Sequence, residues 1–326
     1  MNLILRSLTA LAAPAGPKSK LSVFYFHRVL AEPDPLLPYE PDARMFDRMV
    51  GWIASQFRIL DPVEACDRLF DGSLPSRPAV ITFDDGYRDN HTVALPILQR
   101  HGVKAAFFVA TGFLQGGMMF NDRVIEAIRR ASGGALLVPG ADVGATSELP
   151  LRDVADRRAA IDIVLRAIKH LPPDKRLQRV EALERDTRAA SPAVREPGEP
   201  MMMTPDQVAD LRRAGMTVGG HTRTHPILLS LPDAEAQAEI SGGLDDLAGI
   251  LSERPSIFAY PNGKPGGDFD ERHVAMVQQA GCRYAFTTRA GAADRQASAF
   301  ELPRFTPWDR ERTRFGVRAL RNLMHR

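Results

Sequence analysis

Two groups of polar residues in this sequence have the types and spacing needed to hold a divalent metal ion. Asp84 and Asp85 stand side by side directly after an apolar run that predicts a buried strand. His221 and His225 are four residues apart and follow a second predicted strand. Two neutral imidazoles and a carboxylate form a mixed nitrogen and oxygen set that suits zinc or a similar ion, with positions left open for water and substrate. Such a set supports hydrolytic chemistry.

Each group has a simpler explanation when it is taken alone. An Asp-Asp-Gly sequence occurs in turns and helix caps, and paired histidines can be structural. Both groups, however, follow the ends of predicted strands, and barrel enzymes place their catalytic groups where parallel strands end. The combination therefore favours a metal site over two unrelated structural features.

The predicted elements that position these groups alternate between strand and helix. Such alternation is typical of parallel βα units. Apolar side chains at helical spacing predict a further helix around residues 46–53. Strands are predicted at residues 21–26, 79–83, 105–109, 216–218, 256–260 and 283–287, and helices at residues 92–101, 205–214, 234–251, 269–280 and 311–324.

The alternation stops for a long stretch after the third predicted strand. That stretch contains Gly-rich and Pro-rich loops and two charged helical segments, at residues 151–169 and 174–189. We predict a helical insertion at approximately residues 112–200 within one catalytic domain, residues 21–326. Residues 1–20 form an N-terminal extension in this interpretation.

The two motifs resemble those of a known family, the polysaccharide deacetylases, also called NodB-homology or carbohydrate esterase family 4 domains. The sequence TFDDG at residues 82–86 is similar to the first family motif, and HTRTH at residues 221–225 is similar to the second. The similarity covers roughly residues 21–304, apart from the insertion. It implies an α/β fold: a distorted (β/α)7 TIM-like barrel of about seven strands, here with a helical insertion.

The same resemblance implies roles for four residues. It makes Asp84 the catalytic base, and it makes Asp85, His221 and His225 the metal ligands. The implied cofactor is a divalent metal ion, with zinc expected first and cobalt or nickel as alternatives. An ion of this kind lowers the pKa of a bound water toward about 7 and polarises an acetamide carbonyl.

The third family motif departs from its usual form. It is usually Arg-x-Pro-Tyr, but residues 258–263 read FAYPNG, with Ala259 at the position of the arginine. The arginine that orients the catalytic base in the family is therefore missing there. Arg304, in the sequence LPRF near the end of a late strand, is our candidate to replace it.

The late family motif that carries a catalytic histidine is also missing, because the only histidine after His273 is His325. The sequence FYFH at residues 24–27, however, resembles the first strand of a subgroup with a circularly permuted motif order. This subgroup includes deacetylases of poly-N-acetylglucosamine exopolysaccharides. The resemblance makes His27 the general acid that protonates the departing amine. The alternative is a structural His27 that caps its own strand.

Three further residues are candidates for contact with the substrate. The turn at residues 260–263 contains Tyr260 and Asn262, and the backbone N–H of Asn262 is our choice to stabilise the oxyanion. Trp308 could stack on a sugar ring or pack beneath the last helix.

Composition argues against several other classes of protein. Lys and Arg total 42 against 40 Asp and Glu, so a net charge of +2 gives no global reason to expect nucleic acid as a partner. Cys66 and Cys282 are too few for a disulfide framework, and we expect both to be reduced core residues. We expect no transmembrane segment, because no apolar run approaches the roughly 18 residues that span a bilayer.

The apolar segment from Met1 to Ala15 has two interpretations. It loosely resembles a signal peptide, but it lacks a basic start, and Arg6 interrupts the apolar run. We favour a short N-terminal helix and a cytoplasmic protein, with an exported protein as the alternative. The last predicted helix is amphipathic and rich in arginine, which makes peripheral association with a membrane surface a further alternative.

These features lead to one main functional hypothesis. The protein is expected to hydrolyse N-acetyl groups from N-acetylhexosamine units of a polysaccharide or glycoconjugate and to release acetate. The first alternative keeps the site but changes the substrate to a small amide or ureide. The second alternative is a non-catalytic carbohydrate-binding protein, which is motivated by the missing late histidine and the missing arginine.

Overall fold

The structure is a computed structural model that describes residues 2–132, 134–139, 146–190, 200–306 and 308–325. These residues form two compact units. The first unit comprises Met1–Pro33, Tyr39–Gly116 and Met201–Arg326, and the second comprises Asp34–Pro38 and Gly117–Pro200.

The strands and helices follow the chain in an alternating order. The strands are β1 (Ser22–Phe26), β2 (Arg58–Ile59), β3 (Pro78–Phe83), β4 (Ala106–Val109), β5 (Ala135–Pro139), β6 (Thr146–Pro150), β7 (Thr217–Gly220), β8 (Ile257–Ala259) and β9 (Tyr284–Phe286). The helices are α1 (Asn2–Ala12), α2 (Ala43–Gln56), α3 (Pro62–Asp71), α4 (Leu95–Arg100), α5 (Phe120–Arg130), α6 (Val154–Ile168), α7 (Pro173–Ala190), α8 (Pro205–Arg213), α9 (Asp233–Leu251), α10 (Glu271–Gln279) and α11 (Arg312–Met324).

Seven strands of the first unit form one sheet whose pairs are all parallel. The strand order is β1-β3-β4-β7-β8-β9, and β2 pairs with the start of β3. Parallel neighbours require a crossover between them, and the helices that follow the strands provide it. The predicted α/β barrel fold with about seven strands is confirmed.

A short segment, residues 302–305, joins the two ends of this sheet. Leu302 forms a parallel bridge with Phe286 of β9, and Phe305 forms one with Phe24 of β1. The N–H of Phe305 donates to the carbonyl oxygen of Val23 at 2.7 Å, so the contact with β1 is a backbone pairing. The closing segment therefore holds residue 304 between the first and last strands.

The two faces of the sheet carry different sets of apolar side chains, because side chains alternate along a strand. Val23, Val80 and Phe108 lie in one buried cluster, together with residues of β8 and β9. Phe24 and Phe107 lie in the other, where they pack with the buried face of α2. Burial on both faces explains why β3 is apolar along its whole length.

Two features of the first unit differ from the sequence prediction or extend it. The helix predicted at residues 92–101 begins instead with a π-helical turn, Asn90–Ala94, followed by α4. Pro96 explains the change, since it has no N–H to close an α-helical hydrogen bond. Cys66 and Cys282 are both buried and unpaired.

The second unit has its own core. Helix α5, the antiparallel pair β5–β6, and helices α6 and α7 surround buried side chains that include Val124, Ile128, Ile161, Val164 and Val180. The sequence predicted two helical segments here but neither α5 nor the β-hairpin.

Neither α1 nor any other helix of the described residues is both long and apolar enough to cross a membrane.

Candidate active site

The turn after β3 brings both aspartates of the first motif into the interior. The N–H of Asp84 donates to the carbonyl oxygen of Phe26 at 2.9 Å, which extends the pairing of β3 with β1 by one residue. Asp85 and Gly86 then both adopt positive φ, 78° and 88°. Side chains along a strand alternate between its two faces, but this turn interrupts the alternation. Asp84 and Asp85 are therefore both buried, with only 3% and 5% of their surface exposed. A Cβ on Gly86 would lie 2.9 Å from Val109 Cγ1, so the turn requires glycine.

The loop after β7 positions the two histidines of the second motif. Thr222 and His225 have positive φ, and the N–H of His225 donates to the hydroxyl of Thr222 at 3.1 Å. The imidazole centroids of His221 and His225 lie 4.9 Å apart. The loop conformation, rather than a helix, brings both rings to one side.

The ligand atoms of Asp85, His221 and His225 lie within 4.8 Å of one another. The Nε2 atoms of His221 and His225 are 3.4 and 3.3 Å from the same oxygen, Oδ1 of Asp85. Nδ1 of His221 is 2.7 Å from the carbonyl oxygen of Ala259, which can only accept a hydrogen bond. Nδ1 must therefore carry the proton, and Nε2 of the neutral ring presents a lone pair to the carboxylate.

These three residues fit a metal ion. Oδ1 of Asp85 is buried and has no hydrogen-bond donor among the described residues. Burial alone would raise the pKa of Asp85, but charge interactions with the surrounding imidazoles, when these are protonated, lower it well below its usual range. Burial lowers the pKa of His225 to about 4, which leaves this imidazole neutral. A buried carboxylate and two imidazoles whose ligand atoms lie this close together are a cation-binding set.

Arg304 of the closing segment holds Asp84. Its Nη1 and Nη2 donate to Oδ1 and Oδ2 of Asp84, each at 2.7 Å, and its Nε donates to the carbonyl oxygen of Thr287 at 2.9 Å. Arg304 is 1% exposed. Burial alone would raise the pKa of Asp84, but Arg304 outweighs it, so the pKa is lowered and the group is a carboxylate at neutral pH.

Tyr25 of β1 supports this pair and was not among the residues singled out from the sequence. The guanidinium carbon of Arg304 lies 4.6 Å from the centroid of the Tyr25 ring. The same ring makes an edge contact with the imidazole of His27 at 5.7 Å. Tyr25 thus lies between the arginine and the histidine.

His27 follows β1 at the same edge of the sheet as the metal-binding set. Its carbonyl oxygen accepts a hydrogen bond from Nδ2 of Asn90 at 2.8 Å, and its side chain is half-buried. Burial alone would lower the pKa of His27, but the carboxylates of Asp85, Glu40 and Asp84 outweigh it and raise the pKa. His27 can therefore hold a proton beside the aspartate pair.

Tyr260 and Asn262, which were both predicted to contact the substrate, differ in burial in the turn at residues 260–263. Tyr260 is wrongly predicted as a substrate-binding residue, because its side chain is fully buried and stacks on Phe269 with centroids 3.8 Å apart. The strand alternation turns Phe258 and Tyr260 toward α9 and α10. Asn262 is only partly buried and has a positive φ of 58°, and its carbonyl oxygen accepts from the hydroxyl of Thr288 at 2.7 Å.

Trp308 does not pack beneath the last helix. Its side chain is 49% exposed and makes an edge contact with Tyr39, itself 74% exposed, at 5.2 Å. The two rings are thus open to solvent, as a ring that stacks on a sugar must be.

Helix α9 contacts and stabilises the histidine loop, residues 221–225. The carboxylate of Glu239 accepts from the N–H groups of Arg223 and Thr224 at 2.9 and 2.8 Å. Gly243 lies so close that a Cβ on it would be 2.7 Å from the carbonyl oxygen of Thr222. Neither contact could be predicted from the sequence, because Glu239 and Gly243 look like ordinary members of a helix.

A family model described as polysaccharide deacetylase matches residues 71–132 and 184–285, about half of the chain. The chain belongs to the polysaccharide deacetylase family. Its members are hydrolases, and the matched ranges contain both aspartates of the first motif and both histidines of the second. YxkH of Bacillus subtilis (strain 168), assigned to the polysaccharide deacetylases, is 20% identical over 288 residues, which cover 88% of this chain and 71% of YxkH.

Solved structures of three other proteins have the same fold. IcaB from Ammonifex degensii matches with a TM-score of 0.59 and 18% identity over 94% of this chain and 98% of its own. The Streptococcus pyogenes deacetylase PplD, solved in complex with acetate, has a TM-score of 0.58 and 17% identity over 88% of this chain and 92% of its own. A de-N-acetylase from Aggregatibacter actinomycetemcomitans has a TM-score of 0.53 and 15% identity over 88% and 94%.

Proposed function

We propose that the protein is a metal-dependent hydrolase that removes N-acetyl groups from N-acetylhexosamine units of a polysaccharide or glycoconjugate and releases acetate. The observation that carries this proposal is the buried set of Asp85, His221 and His225 beside a second carboxylate, Asp84, that Arg304 holds in place. The name of the Aggregatibacter neighbour, a de-N-acetylase, supports N-acetyl rather than O-acetyl cleavage.

Asp85, His221 and His225 would hold the ion, with zinc as our first choice and cobalt or nickel as alternatives. When bound, the ion would supply Lewis-acid chemistry by activating a water and polarising the acetamide carbonyl. Asp84 accepts a proton from the attacking water as the new carbon–oxygen bond forms. Arg304 keeps the two oxygens of Asp84 in one orientation, so that one of them faces the water.

His27 completes the reaction at the leaving group. The carbon–nitrogen bond breaks as the imidazolium of His27 gives its proton to the departing nitrogen, so the sugar leaves as a free amine and the acyl group as acetate. The carboxylates around His27 favour its protonated form. The N–H of Asn262 remains our candidate donor to the carbonyl oxygen that gains negative charge.

A non-catalytic carbohydrate-binding protein fits these observations less well. That alternative rested on the missing motif arginine and the missing late histidine, yet Arg304 contacts Asp84 at 2.7 Å and His27 lies within electrostatic reach of both aspartates. A binding protein would not need a base held by an arginine beside a protonated imidazole.

Acetate release tests the proposal directly. Protein loaded with zinc or cobalt should release acetate from N-acetylglucosamine oligomers, and Asp84→Asn and His221→Ala should each lose at least about a hundredfold in kcat/KM. His101→Ala, a surface histidine outside the site, is the matched control and should keep full activity. If both site variants release acetate as fast as this control, the proposed centre is wrong.

We also propose that α1 rests on a membrane surface. Leu3, Ile4, Leu8 and Leu11 are 42–79% exposed. Neither α1 nor α11, one of the two helices packed against it, contains an acidic residue. An exposed apolar face on a basic element is typical of helices that bind anionic lipid. Sedimentation with phosphatidylglycerol vesicles should be lost in Leu3→Ser/Leu11→Ser, while phosphatidylcholine vesicles bind neither protein. Equal sedimentation of both proteins would contradict this location.

A further inference from the structure

A pocket of about 370 Å³ opens beside the pair formed by Arg304 and Asp84. Arg304, Tyr25 and Trp308 line it. Arg318 and Arg321 of α11 line it as well, with His325 just after that helix. The volume lies within the range of about 300–1,000 Å³ that is usual for sites of small ligands. The pocket therefore shares Arg304 with the candidate active site and reaches the last helix.

The charge of this pocket is positive. Arg304 is neutralised by Asp84, and Arg318 pairs with Asp309 at 3.2 Å. Arg321 forms no ion pair with any residue that the structure describes, and no aspartate or glutamate lines the pocket. Arg321 therefore leaves one guanidinium without a carboxylate partner among the described residues that line the pocket.

Two hydrogen bonds hold the last helix, which lines the pocket, in place. Nδ2 of Asn322 donates to the carbonyl oxygen of Gly291 at 2.9 Å, and Nζ of Lys20 donates to the carbonyl oxygen of Leu323 at 2.9 Å. These bonds fix α11 against the loop that follows β9 and against the segment that precedes β1. The arginines on α11 are therefore attached to a rigid element, which reduces the entropy lost on binding.

The inner walls suit a sugar ring. Tyr25 and Trp308 present aromatic surface, and Thr288 and Thr306 add hydroxyl groups. A neutral sugar would use these residues but leave the arginines without a partner. Together, the aromatic rings and the unpaired Arg321 suit a glycan that carries a negative charge. Arginine binds carboxylate and phosphate through two parallel hydrogen bonds, so either group fits.

We propose that this pocket binds a carboxylate or phosphate carried by the substrate and thereby selects anionic glycans. The proposal rests on the proposed deacetylation, because the pocket shares Arg304 with the catalytic pair. It assigns Arg321 the main contact, with Arg318 and His325 beside it. Arg321, Arg318 and His325 act in substrate selection and take no part in breaking the bond.

Three substrates test this selection and identify the anion. They are an N-acetylglucosamine pentamer, a hyaluronan hexamer, which alternates N-acetylglucosamine with a uronate, and an N-acetylglucosamine pentamer with a phosphate on its reducing end. We expect kcat/KM to be at least about tenfold higher for one anionic substrate than for the neutral pentamer, mainly through a lower KM. The preferred anionic substrate identifies the group as carboxylate or phosphate. A neutral pentamer that is cleaved as well as both anionic substrates overturns the proposal.

Arg321→Gln should reduce the ratio of anionic to neutral kcat/KM by about tenfold. Arg314→Gln is the matched control, because Arg314 lies on the same helix, pairs with Glu311 and is absent from the pocket lining. It should leave the ratio unchanged. If Arg321→Gln lowers kcat/KM for all three substrates to the same extent, Arg321 is structural and the proposal fails.

Calorimetric titration with the same three oligosaccharides separates this proposal from the proposed function. Tighter binding of an anionic oligosaccharide than of the pentamer, weakened by Arg321→Gln, supports the pocket even if no substrate releases acetate. In that case the proposed deacetylation has failed and the binding site stands. Equal binding of all three oligosaccharides contradicts the pocket whether or not acetate is released.

Discussion

Arg304 and Asp84 are 220 residues apart in sequence, yet they form two parallel hydrogen bonds of 2.7 Å in the interior of the first unit. Both side chains are almost completely buried. A buried ion pair contributes little net stability when both partners are present, but it becomes costly when one is removed, because the other charge then has no partner. Loss of either side chain is therefore expected to affect both the proposed catalysis and the stability of the fold.

Arg304→Gln should lower the free energy of unfolding by about 3–5 kcal/mol, because the carboxylate of Asp84 stays buried without its guanidinium. Urea denaturation followed by circular dichroism measures this change. The double variant Asp84→Asn/Arg304→Gln should recover part of the loss, since two neutral amides can hydrogen-bond to each other.

Arg314→Gln provides the comparison for this stability experiment. Arg314 and Glu311 form an exposed pair on α11, and such pairs contribute about 0–1 kcal/mol. If Arg304→Gln costs no more than Arg314→Gln, the contact with Asp84 is not formed in solution.

Zinc should raise the melting temperature of protein that has been treated with a chelator. A cation that binds only the folded state stabilises it by about 2.7 kcal/mol at a hundred times its Kd. Asp85→Ala should abolish the shift, because this residue supplies the carboxylate that faces both imidazoles. Asp47→Ala is the control, since Asp47 also contacts a histidine, His101, but on the surface. A zinc shift that survives Asp85→Ala would place the metal elsewhere.

His27→Ala should lower kcat for acetamide substrates by about 10²–10⁴, the usual contribution of a general acid. The loss should be much smaller for 4-nitrophenyl acetate, because nitrophenolate leaves as a stable anion and needs no proton. Stopped assays of acetate and direct absorbance of nitrophenolate give the two rates. Equal losses on both substrates would mean that His27 acts before the leaving group departs.

The sequence predicted well those features that depend on residues close together in the chain. The apolar run of β3 predicted a strand buried on both faces, and the spacing of the two motifs predicted two loops at one edge of a sheet. Arg304 could be nominated only because Ala259 occupies the motif position. Its contact with Asp84 depends on the closing segment, which pairs with both end strands across long sequence separations.

Other features had no local signal. Tyr260 occupies a motif position, but the register of β8 decides which side of the sheet its side chain faces. A shift of the register by one residue would turn the side chain to the opposite side. Glu239 and Gly243 read as ordinary helix residues, although they hold the loop that carries His221. Helix α5 and the β5–β6 hairpin lie in a stretch whose Gly-rich composition hid them.

Gly243→Ala should weaken zinc binding by about 10–100-fold, as is usual when a residue that supports a ligand is disturbed. The new Cβ would lie 2.7 Å from the carbonyl oxygen of Thr222 and push the histidine loop away. Gly249→Ala, on the same helix, meets nothing within 4 Å and should instead stabilise the protein by about 0.5–1 kcal/mol. Titration with zinc and urea denaturation distinguish the two, and equal zinc affinities would show that the loop tolerates the methyl group.

The closing segment also determines when the first unit can complete its fold during translation. The aspartate pair and both histidines emerge long before residues 302–305, so a nascent chain that has reached α10 holds an open sheet and an unpartnered Asp84. Residues 302–305 must then pair with β1, which precedes all the other strands of the sheet, after β9 has been made. We therefore expect partially translated chains to be inactive. Until the closing segment pairs with β1, these chains should be bound by chaperones and cleaved by proteases.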